Sequence, residues 1–520
     1  MKQYEMAELV FQGPSPEGSE TKIPLTATFT KGDSSLKVKG FYAGNGVYKI
    51  RWLPEEEGLW HVQVEGLFQK EQDFTVEPAD ESHHGIVRGE GTHLKHADGT
   101  WFYSFGTTVY ALAHQEKELV QETLETLKKS PFNKVRMCVF PKHYHYNQND
   151  PEHYAFRKEE DFWDTDHPDY VFWDEFEEVL KELEGMGIQV DLILFHPYDR
   201  WGHSRMTREQ DLTYLDYLLR RLAAFPNIWW SMANEYDLFA VKELEDWYKI
   251  EEFIAKEDPY GHLLSNHNCF AEYDYGREHV THVSLQHRLL SRVAALQQEF
   301  QKPVLYDEVC YEGNLPETWG SISGEEMNNR FWKVTVTGGY CTHGETYLDP
   351  SLKGDEIEDA VVWWAKGGRL IGTSPARIQY LRDLIESLPG PLDPYPMGWA
   401  RYALLTEKEM EQTVTDAPDS RKPLLKSFCR MSKVEKLRHI DADFRYAGHV
   451  EDDVYLFYFE HNCHSRAVLE LPENIDYRLE LIDTWNMSRE TLAEHASGMA
   501  EVSLPGKPWM AVLAVRNTKY

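Results

Sequence analysis

The sequence is poor in cysteine. It has six cysteines among 520 residues, and they are scattered without a CxxC pair or another spacing typical of metal ligands. This pattern argues against a disulfide-rich scaffold and against a cysteine-bound zinc site. We expect reduced cysteines that serve as small apolar groups, and we predict neither a metal nor a cofactor.

Long apolar runs are also missing. No stretch approaches the roughly 18 uninterrupted apolar residues of a membrane-spanning helix. The N-terminal segment MKQYEMAELVFQGPSPEG contains a lysine but no apolar run of the length that a signal peptide needs. We therefore expect a protein that has no membrane partner and is located in the cytoplasm.

Positive charge is in short supply. Lys and Arg number 54 against 87 Asp and Glu, which gives a net charge of −33. Such a surface repels phosphate backbones and anionic lipid headgroups, so we expect no nucleic acid partner. Hydrophobic residues make up 42% of the chain and aromatic residues 13%, which is enough for several buried cores and for an aromatic binding cleft.

The chain is too long for one compact core, and its pattern changes twice. Residues 1–80 contain short alternating segments such as LTATFT and GVYKIRWLP, separated by Gly, Pro and Asp/Ser clusters, which predict a β-sandwich. Residues 391–520 begin with the proline-rich LPGPLDPYPMG and continue with strand-like VYLFYFE and YRLELIDTW, which predict a second sandwich. Oligomeric state is left open, and a homo-oligomer is possible.

Residues 81–390 show strands alternating with amphipathic helical segments. The eight candidate strands are WFYSFGTT, KVRMCVF, QVDLILF, NIWWSMA, HLLSNHN, THVSLQH, PVLYDEV and GGYCTHG. Helical periodicity lies between most of them, as in WDEFEEVLKELEGMG and TYLDYLLRRLAAF. The predicted fold is therefore α/β, a (β/α)₈ barrel flanked by two β-sandwiches.

Polar side chains gather where these strands end, which is where barrel enzymes place their reactive groups. The candidate site residues are Arg136, His143, His145, His196, Tyr198, Asp199, Trp201, Asn234, Glu235, His267, Asn268, Gln286, His287, Glu308, Tyr311, Glu312, His343 and Glu345. Cleavage of a glycosidic bond needs one carboxylic acid and one carboxylate that face each other. Glu235 ends the fourth strand and Glu308 the seventh, and these strands lie across the barrel mouth from one another.

At these residues the sequence resembles glycoside hydrolase clan A, in which an Asn-Glu pair ends the fourth strand and a Glu ends the seventh. The resemblance implies that Glu235 is the acid/base, Glu308 the nucleophile, and Asn234 a ligand of the sugar. Arg136 matches an arginine that keeps the nucleophile ionised. We also expect Trp229 and Trp230 to wall Glu235 and to favour its protonated form.

The segments HYHYNQNDPEHYAF and LILFHPYDRWG narrow the resemblance to an apiosidase-like and endoglucanase-like branch. GFYAGNGVYKIRWLPEEEGLWHV is similar to the immunoglobulin-like module that precedes the barrel in that branch. IDTWNMSRETLAEHASG is similar to its C-terminal sandwich. The resemblance implies a retaining glycosidase that acts on an oligosaccharide or glycoside by double displacement.

Several alternatives remain open. Asp307 and Glu312 compete with Glu308 for the nucleophile role, although strand alternation should let only one of Asp307 and Glu308 point into the barrel. Glu235 could instead be a carboxylate at the start of a helix. The protein as a whole could be a carbohydrate-binding protein without catalysis, or a metal-dependent hydrolase that uses the HxH pair of His143 and His145.

Overall fold

The computed structural model describes residues 1–159, 162–398, 400–432, 434–436, 438 and 445–517. Its centre is a parallel sheet of eight strands, arranged in the order fifth, fourth, third, second, first, eighth, seventh, sixth. In chain order the strands are Phe105–Thr108, Lys134–Cys138, Gln189–Phe195, Ile228–Ala233, Leu264–Ser265, Val283–Gln286, Val304–Glu308 and Tyr340–His343. These are the eight strands that the sequence predicts.

The ring is nearly closed between the fifth and sixth strands. There the amide of Thr281 donates to the carbonyl of Leu264 at 2.9 Å, and the hydroxyl of Ser265 donates to the carbonyl of His282 at 2.7 Å. The two edge strands of the sheet, the fifth and the sixth, therefore meet and close the ring. This confirms the predicted (β/α)₈ barrel.

Amphipathic helices surround the barrel. They are Lys117–Leu127, Tyr170–Gly185, Arg208–Leu222, Leu244–Glu257, Val293–Phe300, Gly324–Val336 and, after the eighth strand, Ser374–Glu386. Local sequence signals set their ends. For example, Thr207 is the N-cap residue of the helix Arg208–Leu222, and its side chain forms a capping box with Gln210. No helix lies between the fifth and sixth strands, where every residue is described.

A β-hairpin covers the N-terminal end of the barrel. Its strands are Val87–Glu90 and His93–His96, and its apolar side chains pack against Trp229. Trp230 is also fully buried, and its indole nitrogen donates to Asp258 at 3.0 Å. The expectation that both tryptophans wall Glu235 is wrong, because Trp229 is the second residue of the fourth strand and lies towards the end of the barrel opposite to Glu235.

The N-terminal domain is a β-sandwich. One sheet pairs Ala7–Gln12, Val47–Trp52 and Phe41–Tyr42, and the other pairs Ser34–Lys39, Leu25–Lys31, Gly58–Gly66 and Lys70–Val76. Arg51 joins this sandwich to the barrel by donating to Glu177 at 2.6 Å and to the carbonyl of Arg221 at 2.7 Å. Glu177 also accepts from the Arg221 side chain at 2.6 Å, so one buried ion network spans both domains.

The C-terminal domain is rich in β-structure. Its larger sheet contains Asp393–Pro394, Tyr446–Val450, Val454–Tyr458, Met510–Arg516, Tyr477–Asp483 and Ser488–Ala496, and its smaller sheet contains Arg466–Glu470 and Met499–Ser503. Three helices that the sequence analysis did not predict precede most of these strands: Ala400–Leu404, Glu407–Asp416 and Lys422–Arg430. The domain limits at 80 and 390 stay predictions.

Two general expectations can be compared with the described residues. All six cysteines are described and free. None of the described helices combines the length and the apolar character that crossing a bilayer requires.

Candidate active site

A cavity of about 480 Å³ opens at the C-terminal end of the barrel. Both predicted catalytic carboxylates line it, and so do five of the other predicted site residues: Tyr198, Asn234, Gln286, His287 and Tyr311. They come from the third to the seventh strands and the loops that follow. A barrel brings them together because all eight strands point the same way.

Glu308 lies deep in this cavity. It accepts a hydrogen bond from the hydroxyl of Tyr110, and Arg136 donates to the same oxygen at 3.5 Å. Burial and then the charge of Glu235 raise the pKa of Glu308, while Arg136, Tyr110 and Lys142 oppose the rise. Arg136 therefore acts in the expected direction, but burial and the second carboxylate outweigh it.

Asp307 directly precedes Glu308 and forms a bulge in the seventh strand. Leu285 pairs with Tyr306 and Gln286 pairs with Glu308, which leaves Asp307 as an extra residue. Its carboxylate is completely buried and accepts from Lys134 and from Ser284 Oγ at 2.6 Å. Burial alone would raise the pKa of Asp307, yet Lys134 and Arg136 hold it well below its ordinary value. Asp307 is thus a structural counterion inside the barrel.

Strand alternation does not separate the two acids, contrary to the expectation from the sequence. Because of the bulge, the side chains of both acids point towards the barrel interior. They differ in their position along the barrel axis. Glu308 lines the cavity, whereas Asp307 does not.

Glu235 lies two residues after the end of the fourth strand and has a left-handed backbone with φ of 53°. A non-glycine residue rarely adopts this conformation, and such residues are concentrated at functional sites. It precedes the short 3₁₀ helix Tyr236–Leu238 without accepting a capping hydrogen bond. Its carboxylate instead accepts from the hydroxyl of Tyr198. Glu235 is therefore not a helix cap, which removes the structural alternative raised from the sequence.

Asn234 connects the surroundings of the two acids. Its Oδ1 accepts from Tyr110 at 3.1 Å and from Arg136 at 3.4 Å. Because both donors also contact Glu308, the amide and the carboxylate are held in one network. Arg136 itself is fully buried and anchored by Asp191 at 3.0 Å.

Lys142 contributes a second cation that the sequence analysis missed. Its ammonium lies 3.4 Å from the ring centre of Tyr110, 4.4 Å from that of Tyr198 and 5.2 Å from that of Trp364. These rings stabilise the cation through their negative faces. Burial lowers the pKa of Lys142 from its ordinary value, while Glu235 and Glu308 act in the opposite direction.

Four predicted residues lie in loops beside the cavity and do not line it. The ring of His196 is buried near the carbonyl of Phe140 at 3.1 Å, and Asp199 accepts from the amides of Trp201 and Ser204 at 2.8 and 2.7 Å. Trp201 is buried, and His143 is half-buried against its ring. These positions favour loop support over contact with a substrate. His145 is exposed and outside the lining.

His267 and Asn268 lie between the two acids and the sixth strand. His267 is fully buried, with Nδ1 3.4 Å from the amide nitrogen of Glu235 and Nε2 3.9 Å from Glu308. Asn268 accepts from the amide of Gln286 at 3.2 Å. Both are placed to position other residues of the site, and neither lines the cavity.

Glu312, His343 and Glu345 form a separate buried group behind the wall of the cavity. Glu312 accepts from the amides of Thr373 and Ser374 at 2.7 and 3.1 Å, at the start of the helix Ser374–Glu386. A carboxylate committed to a helix start is not a nucleophile for the cavity. None of these three residues lines the cavity.

The remaining lining residues are Tyr110, Lys142, Tyr144, Cys269, Phe270, Arg288, Cys310, Trp319 and Trp364. Tyr110 follows the first strand closely, so the strand-end rule would have found it if applied there. Lys142 and Tyr144 lie in the same loop as His143. Trp364 is in the short helix Trp363–Lys366, and nothing in the local sequence indicates that it reaches the cavity.

The comparisons with known proteins agree with this architecture. A family model described as "Apiosidase-like, catalytic domain" matches residues 89–389. The chain belongs to the apiosidase-like family. Two further models, described as domains of unknown function DUF5060 and DUF5605, match residues 1–66 and 443–514 on either side of the apiosidase-like domain. No curated protein matches this sequence.

Solved structures extend the similarity beyond the apiosidase-like domain. The crystal structure of a presumed glycoside hydrolase from Bacteroides vulgatus ATCC 8482 is 31% identical, with a TM-score of 0.84 over 99% of both chains. A glycoside hydrolase family 5 structure from the same organism is 16% identical, with a TM-score of 0.60 over 84% of this chain and 94% of the other. The second likeness concerns the fold alone. Fold and family are thus those of glycoside hydrolases.

Proposed function

We propose that the protein is a retaining glycoside hydrolase in which Glu308 is the nucleophile and Glu235 the acid/base. The observation that carries this proposal is the placement of both carboxylates, and of no other described acid, in the lining of one cavity at the barrel mouth. The charge of Glu235 raises the pKa of Glu308, so the two groups interact strongly. A double displacement needs one of them as a carboxylate and the other as a carboxylic acid that carries the proton.

The surroundings indicate where that proton resides. Glu308 has Arg136 and Lys142 as neighbouring cations and Tyr110 as a hydroxyl donor. Glu235 accepts from the Tyr198 hydroxyl. Lys142 acts on both acids, but only Glu308 contacts the guanidinium of Arg136, so we assign the charge to Glu308 and the proton to Glu235.

This assignment matches a double-displacement reaction. Glu235 protonates the glycosidic oxygen while Glu308 attacks the anomeric carbon, forming a glycosyl-enzyme and releasing the aglycone. Glu235 then removes a proton from water, which displaces Glu308 and returns the anomeric configuration of the substrate. The amide oxygen of Asn234 is occupied by Tyr110 and Arg136, so its NH₂ group would meet the sugar hydroxyl.

The cavity suits a carbohydrate of small size. Its wall combines polar side chains with aromatic rings, among them Trp319 and Trp364. Phe270 stands on the rim with 84% of its surface exposed, where a sugar face can stack on it. We therefore propose an oligosaccharide or a glycoside as the substrate. The predicted cytoplasmic location and the immunoglobulin-like character of the N-terminal sandwich remain proposals of the same kind.

The test is a screen of aryl glycosides and plant-derived oligosaccharides, with the product anomer followed by NMR. Retention of configuration is expected, and inversion would overturn the mechanism. Glu235→Ala should still turn over substrates with highly activated leaving groups, since those need no acid. Azide should rescue this variant and yield a glycosyl azide of retained configuration.

Glu308→Ala should lose turnover of all substrates, and azide should yield a glycosyl azide of inverted configuration. Glu317→Gln, a change in a loop near the cavity but outside its lining, is the matched control and should remain active. A wild-type protein that binds sugars without any turnover would instead identify a non-catalytic carbohydrate-binding protein.

A further inference from the structure

Behind the cavity, three ligand-type side chains converge on one point. Glu312–Gly313 and Glu345–Thr346 form a short parallel ladder in which Glu312 pairs with Glu345. His343 ends the eighth strand two residues earlier. One ligand atom from each of Glu312, His343 and Glu345 lies within 4.8 Å of the others, and all three residues are at most 1% exposed.

Two atoms in this group lack a partner among the described residues. They are Nε2 of His343 and Oε2 of Glu345, which are also inaccessible to solvent. The other ends are anchored: His343 Nδ1 lies 3.2 Å from Thr107 Oγ1, and Glu345 Oε1 accepts from the amide of Ile371 at 2.7 Å. In a typical metal ligand, one polar atom of the side chain is held by a hydrogen bond and the other binds the ion.

Gly372 packs closely against the two carboxylates. A methyl group built on its Cα would lie 2.6 Å from Oε2 of Glu345 and 2.7 Å from Oε2 of Glu312. Cδ of Glu312 also lies 2.7 Å from this position, so any larger residue at 372 would press on both carboxylates. Gly372 is half-buried and Ile371 beside it is 67% exposed, so the position lies just beneath the surface.

We propose that Glu312, His343 and Glu345 bind one divalent transition-metal ion, with Zn²⁺ and Mn²⁺ as the fitting class. Two carboxylates balance the charge of a divalent cation. The imidazole favours a transition metal over Ca²⁺ or Mg²⁺, which prefer oxygen ligands alone. The proposal concerns a site separate from the cavity and does not depend on the proposed glycosidase activity.

The position of the ion indicates a structural role. Glu312 directly follows Tyr311, and Gly344 packs so closely beneath the Tyr311 ring that an added methyl group would lie 1.9 Å from it. An ion shared by Glu312 and Glu345 would connect the short strands Glu312–Gly313 and Glu345–Thr346. These strands support Tyr311, and Glu308 lies four residues before Glu312. The three ligands are therefore positioning residues and not catalytic ones.

The competing arrangement is a proton shared by the two carboxyl groups without a metal. Full-length protein freed of metal by a chelator should be titrated with Zn²⁺, Mn²⁺ and Ca²⁺ by calorimetry. We expect one saturable site per chain for Zn²⁺ or Mn²⁺, weaker binding of Ca²⁺, and a rise in Tm on metal addition. Anomalous diffraction at the zinc edge should place the ion between Glu312 and Glu345.

Two variants separate this site from adventitious binding. Gly372→Ala displaces the two carboxylates without removing a ligand, and Glu345→Gln removes one ligand charge. Each should weaken binding by more than about tenfold, whereas Gly185→Ala, where nothing lies within 4 Å of the added methyl group, should bind normally. Unchanged affinity in both variants would overturn the proposal. If neither variant folds, wild-type protein without a saturable site or without anomalous density at this position overturns it as well.

Discussion

The ammonium of Lys142 lies 3.4 Å from the ring centre of Tyr110. The hydroxyl of the same ring donates to the carboxylate of Glu308 and lies 3.1 Å from Oδ1 of Asn234. A buried cation, an aromatic ring and a buried carboxylate thus form one chain of contacts. Because the positive charge acts on Glu308 across only one side chain, its removal should be visible in the pH dependence of activity.

Lys142→Met should move the acidic limb of the pH profile of kcat/KM to higher pH. Lys142 lowers the pKa of Glu308, so its loss raises that pKa further. In the proposed mechanism Glu308 must be ionised to attack. At a pH below the limb, kcat/KM should fall on the order of tenfold for every pH unit by which the limb moves. The measurement is a set of pH profiles for wild type and variant. A limb that stays in place would contradict the role of Lys142. Lys426→Met, a change of an exposed lysine far from the cavity, serves as the control.

Tyr110→Phe should reduce kcat/KM by about 10- to 100-fold while the protein remains folded. The variant removes the hydroxyl that contacts both Glu308 and Asn234, and a hydrogen bond to a charged group contributes about 1.5–3 kcal/mol. Steady-state kinetics and a circular dichroism melt are the measurements. Tyr103→Phe, near the opposite end of the barrel, should keep wild-type kinetics. Equal losses in the two variants would indicate a general effect on stability.

Gly344→Ala should inactivate the enzyme through displacement of Tyr311. The added methyl group would lie 1.9 Å from the ring, which must then move away from the cavity. The backbone of Gly344 is not in the left-handed region, so steric overlap with the ring is the cause of the effect. Kinetics and a crystal structure of the variant are the checks, with Gly185→Ala as the matched substitution. Full activity with Tyr311 unmoved would contradict the prediction.

Acid should weaken the attachment of the N-terminal sandwich. Burial by itself would raise the pKa of Glu177, but Arg51 and Arg221 lower this pKa from 4.5 to about 2. A depressed folded-state pKa means that the stabilisation is complete above pH ~4.5 and is lost as pH falls towards ~2, a contribution of about 3 kcal/mol. Urea unfolding at several pH values measures it.

Glu177→Gln should be less stable than wild type by about 3–5 kcal/mol near neutral pH, because two buried arginines lose their partner. This difference should shrink in acid, where wild type loses the same interaction. The exposed neighbour Glu182→Gln should behave as wild type throughout. A difference between wild type and Glu177→Gln that does not change with pH would contradict the assignment.

Local sequence patterns were sufficient for the architecture. The period of two in the strands, the period of 3.6 in the helices and the capping signals such as Thr207 depend on near neighbours in the chain, so they can be read without a structure. The segments WDEFEEVLKELEGMG and TYLDYLLRRLAAF, read as helical from the sequence, do form helices. The three helices between 400 and 430 were missed, because an apparent loop region before the last strands was assigned to the second sandwich.

The position of Glu235 and Glu308 at the mouth of a barrel also followed from the sequence, since counting strands places a residue around the ring. What surrounds them did not follow. Tyr110, Lys142 and Trp364 reach the cavity from distant parts of the chain, and the bulge at Asp307 depends on how two neighbouring strands pair.

The sequence by itself thus determined the fold class and the location of the two acids, because periodicity and strand order are local properties. Only the tertiary structure decided that Asp307 is a buried counterion and that Trp229 lies at the far end of the barrel. It also separated Glu312, His343 and Glu345 from the cavity. Burial and electrostatics depend on residues far apart in the chain, and no local pattern records them.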